Sequence, residues 1–245
     1  MSWDTDLKRA PQELISSYGI TDWETFVNHS NIIAPQVLTA LQDHGLSLSN
    51  KPKVLDFGCG IGRTLAKLFI EHKIPTHASD VNPLAYEYLK SILPSLNLLQ
   101  TNFYPPTPYD SDYFDAIYSI SVWTHLKPEE QLEWLSEMKR ILAPNGVILI
   151  SFIGPDGLQI RKERFESWKY VSDIDIMCEG VKFIPYQDNS EALEKIGIKS
   201  TYGTAIHTHD FIHNEWAKIL KVETIVEKGI AGCQSYVILR KSDCP

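Results

Sequence analysis

The chain is poor in the features that mark several broad classes of protein. Its four cysteines, Cys59, Cys178, Cys233 and Cys244, are scattered, with no Cys-x-x-Cys or Cys/His spacing. That argues against a disulfide framework or a zinc site and fits a reducing cytoplasm. No run of Lys and Arg stands out, and the formal net charge is −8. Phosphate backbones need clustered cations, so no nucleic-acid partner is expected. No apolar stretch is long enough to span a bilayer, and the opening "MSWDTDLKRAPQELISS" lacks the apolar centre of a signal peptide. The expectation is a cytoplasmic protein without a membrane segment. Internal repeats and low-complexity tracts are also missing.

What is present is a chain of 245 residues, 43% of them hydrophobic, enough to bury one full core. Residues 1–50 read as cap helices. In "TDWETF" Thr21 is the expected N-cap with Glu24 three residues on, and "APQVLTALQDHG" is a further amphipathic helix ending near Gly45. From Lys53 strands and helices alternate. "KVLDF", "PTHASD", "NLLQTN", "FDAIYSIS" and "VILISF" read as five strands. Between them lie "RTLAKLFIEHK", "NPLAYEYLKSIL" and "KPEEQLEWLSEMKRIL", each with apolar residues on one helical face. This rhythm specifies a parallel sheet with helices on both faces. Residues 154–205 lose the pattern but keep Phe165, Trp168, Tyr170, Phe183 and Tyr186, so they read as a lid insertion over the core of residues 51–153. "THDFIHNEWAKIL" then reads as a helix, and "KVETIVE" and "SYVILRK" as an antiparallel hairpin within residues 206–245. The expected architecture is a single α/β domain: a Rossmann-like, doubly wound, mostly parallel seven-stranded sheet with a C-terminal antiparallel hairpin and a helical, aromatic cap.

The informative stretch is "VLDFGCGIGRT", residues 54–64. Glycines at 58, 60 and 62 permit a tight strand-to-helix turn and close backbone approach to a ligand, and the helix start offers unpaired N–H groups. A dinucleotide reading would seat pyrophosphate there, but the spacing is GxGxG rather than GxGxxG. Asp56 is the stronger objection. Two like charges about 4 Å apart at an effective dielectric of about 20 repel by roughly 4 kcal/mol. The carboxylate favours a cationic ligand, and S-adenosylmethionine carries an ammonium, a sulfonium and no phosphate. The plainer alternative is an Asp that only caps the turn.

The same stretch resembles motif I of the class I S-adenosylmethionine-dependent methyltransferases. "ASDVNP" is similar to their second-strand motif, "YFDAIYSISVWTHL" to their fourth-strand segment, and "EWLSEMKRILAPNGVILIS" to the helix and turn before strand five. Within that superfamily the chain is most similar to the type-12 enzymes associated with sugar and natural-product pathways. The resemblance implies that Asp56 and the backbone of Gly58 and Gly60 meet the methionyl end of the cofactor, that Cys59 and Arg63 of the same turn also belong to the cofactor site, and that Asp80 takes the ribose hydroxyls. A strand-end carboxylate can accept two hydrogen bonds from a cis-diol. It also implies Val81 and Phe103 as walls for the adenine, Asn102 near the adenine amino group, and Ser119 and Ser121 beside the methyl group. For Asn102 and Ser121 an ordinary loop role is as plausible.

The activity implied is methyl transfer to a small-molecule acceptor, with oxygen favoured over nitrogen and a saccharide or natural-product hydroxyl or carboxyl as the expected class. A cofactor-binding protein without transferase activity and a NAD-type dehydrogenase are the competing readings. A hydroxyl acceptor calls for positioning and for removal of a proton, and histidine is the usual base at neutral pH. His207 is the first candidate, because the junction "HT" before the late helix should return to the carboxyl rim of the sheet. His125, after strand four, is the second. Each could instead be structural, with Thr208 as an N-cap and His207 only preceding it. His209 and His213 lie four residues apart, beside Asp210, but the implied chemistry needs no metal. Tyr18, Trp23, Trp168, Tyr170 and Tyr186 are candidate acceptor walls, or else the cap's own core. Monomer and homodimer are both compatible with the sequence.

Overall fold

A computed structural model describes residues 9–185 and 202–241. The cap comprises α1 (Gln12–Ser17) and α2 (Trp23–Asp43). The core runs β1 (Val54–Phe57), α3 (Leu65–His72), β2 (His77–Asp80), α4 (Pro83–Ile92), β3 (Asn97–Gln100), β4 (Phe114–Ser119), α5 (Pro128–Ile141) and β5 (Leu142–Phe152). An insertion follows, with α6 (Pro155–Arg164), α7 (Asp173–Glu179), β6 (Val181–Pro185) and β7 (Gly203–His207). The chain closes with α8 (His209–Asn214), β8 (Lys221–Ile230) and β9 (Gln234–Arg240).

The main sheet has seven strands in the order β3-β2-β1-β4-β5-β9-β8. The first five are parallel, and β9 pairs antiparallel with both β5 and β8. The doubly wound sheet with its terminal hairpin is thus as the sequence predicts. The parallel strands are apolar because helices cover both faces. On one face α5 buries Trp134, Leu135, Met138 and Ile141 against Leu55, Phe114 and Ile148, and on the other α2 buries Ile33, Val37 and Leu41 against Val54, Tyr118 and Leu149. Truncating a fully buried residue such as Leu135 to Ala would cost about 2–5 kcal/mol. The local signals in α5 agree with its role: Pro128 opens the helix and the Glu130 side chain accepts from the Lys127 N–H at 3.0 Å.

Several local expectations are corrected. The two cap helices predicted over residues 21–45 are one helix, α2, which continues through Pro35. Its N-cap is Asp22 rather than Thr21: the Asp22 carboxylate accepts from the Thr25 N–H at 2.7 Å, and the Thr21 hydroxyl donates to that carboxylate instead. The late helix is short, with α8 capped by Thr208 and followed by a separate 3-10 turn at Trp216–Lys218. Finally, the insertion carries a two-stranded antiparallel ribbon, β6–β7, which joins the sheet's extension through Ile153, whose carbonyl accepts from the His207 N–H at 2.8 Å.

Candidate active site

β1 and β4 are neighbours although β2 and β3 intervene in sequence. At such a reversal of strand order the two crossover helices diverge and a cleft opens at the carboxyl ends of the strands. The cavity there has a volume of about 1500 Å³. A single small-molecule site usually measures about 300–1,000 Å³, so this cleft has room for two ligands.

The glycine turn forms its floor. Gly58 has φ +74°, and a Cβ there would lie 2.2 Å from Val122 Cγ2. Gly60 has φ +54°, and a Cβ there would lie 2.8 Å from the Tyr18 ring. Any side chain at either position would push away the loop after β4 or the cap residue Tyr18. Beside the turn, Asp56 is 2% exposed and its Oδ2 has no hydrogen-bond partner. The Tyr118 hydroxyl neighbours this carboxyl outside hydrogen-bond geometry and is equally unpartnered. Burial pushes the Asp56 pKa up to about 8, with Tyr118 and Arg63 opposing and Asp80 adding to the rise. A carboxyl so placed is poised to ionise when a cation arrives.

Asp80, at the end of β2, is organised differently. Its Oδ2 accepts from the Gly60 N–H at 2.6 Å and its Oδ1 from the Asn82 N–H at 2.8 Å. Burial raises its pKa while these backbone bonds oppose the rise. Each oxygen keeps lone-pair capacity for one further donor, which suits a cis-diol. Asn82 donates from its side chain to the Tyr18 hydroxyl at 3.1 Å, so Tyr18 covers this end of the cleft.

Of the predicted cofactor residues, Asp56, Gly58, Cys59, Gly60, Arg63, Asp80, Val81, Asn102, Phe103 and Ser121 all line the cavity. Ser119 does not. It is buried, and its hydroxyl donates to the Phe57 carbonyl at 2.9 Å, tying β4 to β1. Among the predicted acceptor walls, Trp168 lines the cavity with Arg161 5.9 Å from its ring. Tyr18 lines it at the Asp80 end instead. Trp23 stacks on Phe26 at 4.7 Å inside the cap, Tyr170 is 80% exposed away from the cleft, and Tyr186 lies outside the described residues. Arg161, Tyr202, Thr204 and Gln234 also border the cleft and were not anticipated. They come from the insertion and the hairpin, and no local pattern marks them.

The two histidines exchange places. His207 is fully buried, outside the cavity, and packed among Phe152, Phe211 and Trp216. Its Nε2 meets the Gln131 Oε1 at 3.0 Å. Gln131 spends its amide hydrogens on the carbonyls of Trp123 and Leu126, so its oxygen faces His207 and the imidazole must donate. Burial drives the His207 pKa down to about 3. It is a neutral pillar between β7 and α5. His125 lies in the 3-10 turn Trp123–His125 and does line the cavity. Its Nδ1 lies 3.0 Å from the Gly203 carbonyl, which can only accept. Nδ1 therefore carries the proton, and Nε2 is the basic nitrogen. Burial lowers its pKa, which keeps the ring neutral at neutral pH. Tyr202 stacks parallel to it at 5.7 Å. Among the described residues no three His, Cys, Asp or Glu side chains gather at metal-binding spacing, and no helix is long and apolar enough to cross a membrane.

The methyltransferase domain family matches residues 31–201, well over half of the chain. The chain belongs to that family. Similar solved structures include DesVI of Streptomyces venezuelae, with a TM-score of 0.61 and 15% identity over 96% of this chain and 100% of that one. An S-adenosylmethionine-dependent methyltransferase from Mesorhizobium loti matches with a TM-score of 0.56 and 12% identity over 84% and 98% of the two chains. A SAM-dependent methyltransferase from Aquifex aeolicus matches with a TM-score of 0.53 and 15% identity over 94% and 98%. At these identities the likeness speaks for the fold. No curated relative matches the chain.

The cofactor of this methyltransferase is S-adenosylmethionine, and the cleft fits it. The unpartnered Asp56 oxygen suits an ammonium, and Asp80 retains capacity for two hydroxyls. When bound, the cofactor supplies a methyl group activated by a sulfonium that departs as a neutral thioether.

Proposed function

We propose that this methyltransferase alkylates an oxygen of a small molecule, a hydroxyl or carboxyl of a saccharide or natural product, with His125 as the acceptor's base or hydrogen-bond partner. The observation that carries this reading is the state of His125: it borders the cavity, burial lowers its pKa, and the Gly203 carbonyl fixes its proton on Nδ1. A neutral imidazole of that tautomer can take the proton that a hydroxyl loses during transfer. Trp168, Tyr202 and Phe103 offer flat apolar faces, with the rings of Phe103 and Tyr202 5.9 Å apart. Such faces suit a sugar ring or a planar scaffold, and the resemblance to the type-12 enzymes points the same way.

The test is to incubate the purified protein with S-adenosylmethionine and panels of saccharides, hydroxylated scaffolds, carboxylic acids and amines, and to read methyl gain by mass spectrometry. Methylation confined to amines would replace the oxygen reading. Cofactor binding with no turnover on any panel would favour a binding protein.

A further inference from the structure

The cleft is electrically lopsided. Its acids, Glu13, Asp56, Asp80 and Glu87, come from α1, β1, β2 and α4, around the end that fits the cofactor. The far side is bordered by the segment after β4, the insertion and the hairpin. Among the described residues that side carries one Lys or Arg, Arg161, and no carboxylate. A cation fixed at the acceptor end of a cleft favours an anionic acceptor.

The guanidinium is positioned by its own helix. α6 starts directly after β5, and helical side chains lean toward the helix N-terminus. Arg161 thus reaches back to the first turn, where its Nη1 donates to the Gly157 carbonyl at 3.2 Å. That turn is wedged against the β8–β9 turn: a Cβ on Gly157 would lie 2.8 Å from the Cys233 carbonyl oxygen. The guanidinium carbon sits over the Trp168 ring, 5.9 Å from its centre. A guanidinium over an aromatic face directs its donors sideways, in a fork that matches the two oxygens of a carboxylate. The Arg161 charge also reaches His125. Burial lowers the His125 pKa most, the Gly203 carbonyl opposes the fall, and Arg161 adds to it. Cation, base and the flat faces of Trp168 and Tyr202 therefore share the acceptor end of one cavity.

We infer that Arg161 selects a hydroxylated carboxylic acid as acceptor, holding its carboxylate while His125 faces the hydroxyl to be methylated. The inference rests on the oxygen reading of His125 and narrows it. The bound carboxylate is not the methylated group, because a guanidinium draws charge from the oxygens it holds and blunts them as nucleophiles. In the transfer the hydroxyl oxygen bonds to the methyl carbon as the carbon–sulfur bond breaks. The sulfur leaves as a thioether, and the hydroxyl proton passes to His125 Nε2. One guanidinium balances one carboxylate, whereas a phosphate monoester carries close to two charges.

Paired probes test this: glucuronate and galacturonate against glucose and galactose, and hydroxybenzoates against the matching hydroxybenzamides, with phosphorylated glucose as the phosphate control. Calorimetry on the S-adenosylhomocysteine complex of the wild type and of Arg161→Met reads binding without turnover. At least one acid should bind the wild type about 10- to 100-fold more tightly than its neutral partner, and Arg161→Met should abolish that preference. Arg161→Lys keeps the charge without the fork and should retain part of it. Mass spectrometry of the product formed with S-adenosylmethionine should place the methyl group on the hydroxyl. Acids that bind the wild type no better than their neutral partners overturn the inference, with no variant needed. So does a preference that survives Arg161→Met, tighter binding of phosphorylated glucose, or a methyl ester as the product. Acids that bind through Arg161 while only amines are methylated would instead overturn the oxygen reading and the hydroxyl half of the inference, leaving the carboxylate subsite in place.

Discussion

The two halves of the cleft are built by different means. The cofactor half rests on strand ends and a helix start: Asp56 and Asp80 close β1 and β2, and backbone amides of Gly60 and Asn82 already hold the Asp80 carboxylate. On the proposed reading the acceptor half is the part bordered by the insertion, and its ordering is borrowed. His125 is oriented by the carbonyl of Gly203, which begins β7, and β7 is held by its ribbon partner β6 and by Ile153. The difference teaches where specificity can change cheaply. On that reading, altering the insertion should re-aim His125 without disturbing the parallel sheet, whereas altering the glycine turn should disturb strand and helix together.

The largest effect should come from the acceptor half. His125→Ala should lower turnover by about 10²–10⁴, the usual cost of losing a general base, while S-adenosylhomocysteine binding stays intact. Steady-state rates beside calorimetry check this, and unchanged turnover in a folded variant would leave His125 with a structural role only. In the wild type the acid limb of kcat/KM should fall below the ordinary histidine value near 6.5, because burial lowers the His125 pKa and the neutral ring is the active form.

Next in size is the cofactor half. Asp80→Ala removes a carboxylate able to accept two ribose hydroxyls, a charged hydrogen-bond contribution of about 1.5–3 kcal/mol, so cofactor affinity should drop roughly 10- to 100-fold. The loss also frees the Gly60 and Asn82 amides, so a thermal melt must accompany the titration. Unchanged affinity would remove Asp80 from the ribose site.

His207 sharpens the contrast between a histidine at the site and one in the core. His207→Ala opens a cavity among Phe152, Phe211 and Trp216 and strands the Gln131 oxygen, so stability should fall by about 2–4 kcal/mol. Turnover should persist wherever the variant is folded. The sign of the pH effect is defined. The folded pKa of about 3 lies below the unfolded value near 6.5, so its contribution to stability is present above about 6.5 and drains away as pH falls toward 3. The variant should lose that slope in a denaturation series.

What was legible in the sequence follows the same division. The strand–helix alternation of residues 53–153 arises from periodic burial, which each segment displays by itself, and the glycines with their neighbouring acids announce their turn locally. His207 was misplaced because it was read as a loop residue at the sheet's rim. It ends a strand whose partners, Val181 and Ile153, are fixed by tertiary pairing alone. Arg161 and Gln234 reach the cleft by topology, and neither has a local signature. Asp22 displaced Thr21 as N-cap because the helix begins one residue later, which puts the Thr25 N–H within reach of the Asp22 carboxylate.

The finest test concerns Asp56, whose carboxyl is the least settled group in the apo cleft. Its folded pKa of about 8 stands above the unfolded value near 3.9, so the folded chain binds this proton more tightly. Stability should therefore decline as pH rises from about 4 to 8 and level off beyond. Asp56→Asn keeps the shape and removes the titration. It should make the ligand-free protein more stable by about 1–3 kcal/mol at neutral and alkaline pH, the scale of one unsatisfied buried polar group, with little change at pH 4. Binding should respond in the opposite sense. An ammonium pairs with the ionised carboxylate, so wild-type affinity for S-adenosylhomocysteine should climb between pH 6 and 8 by at most about tenfold per unit, and binding should release a proton. Asp80 and Arg63 act on Asp56 in opposite directions and are unchanged in the variant. Titration in two buffers of different ionisation enthalpy counts that proton. A wild type that releases none, or an Asn variant that keeps the same slope, would show that the cation meets some other group.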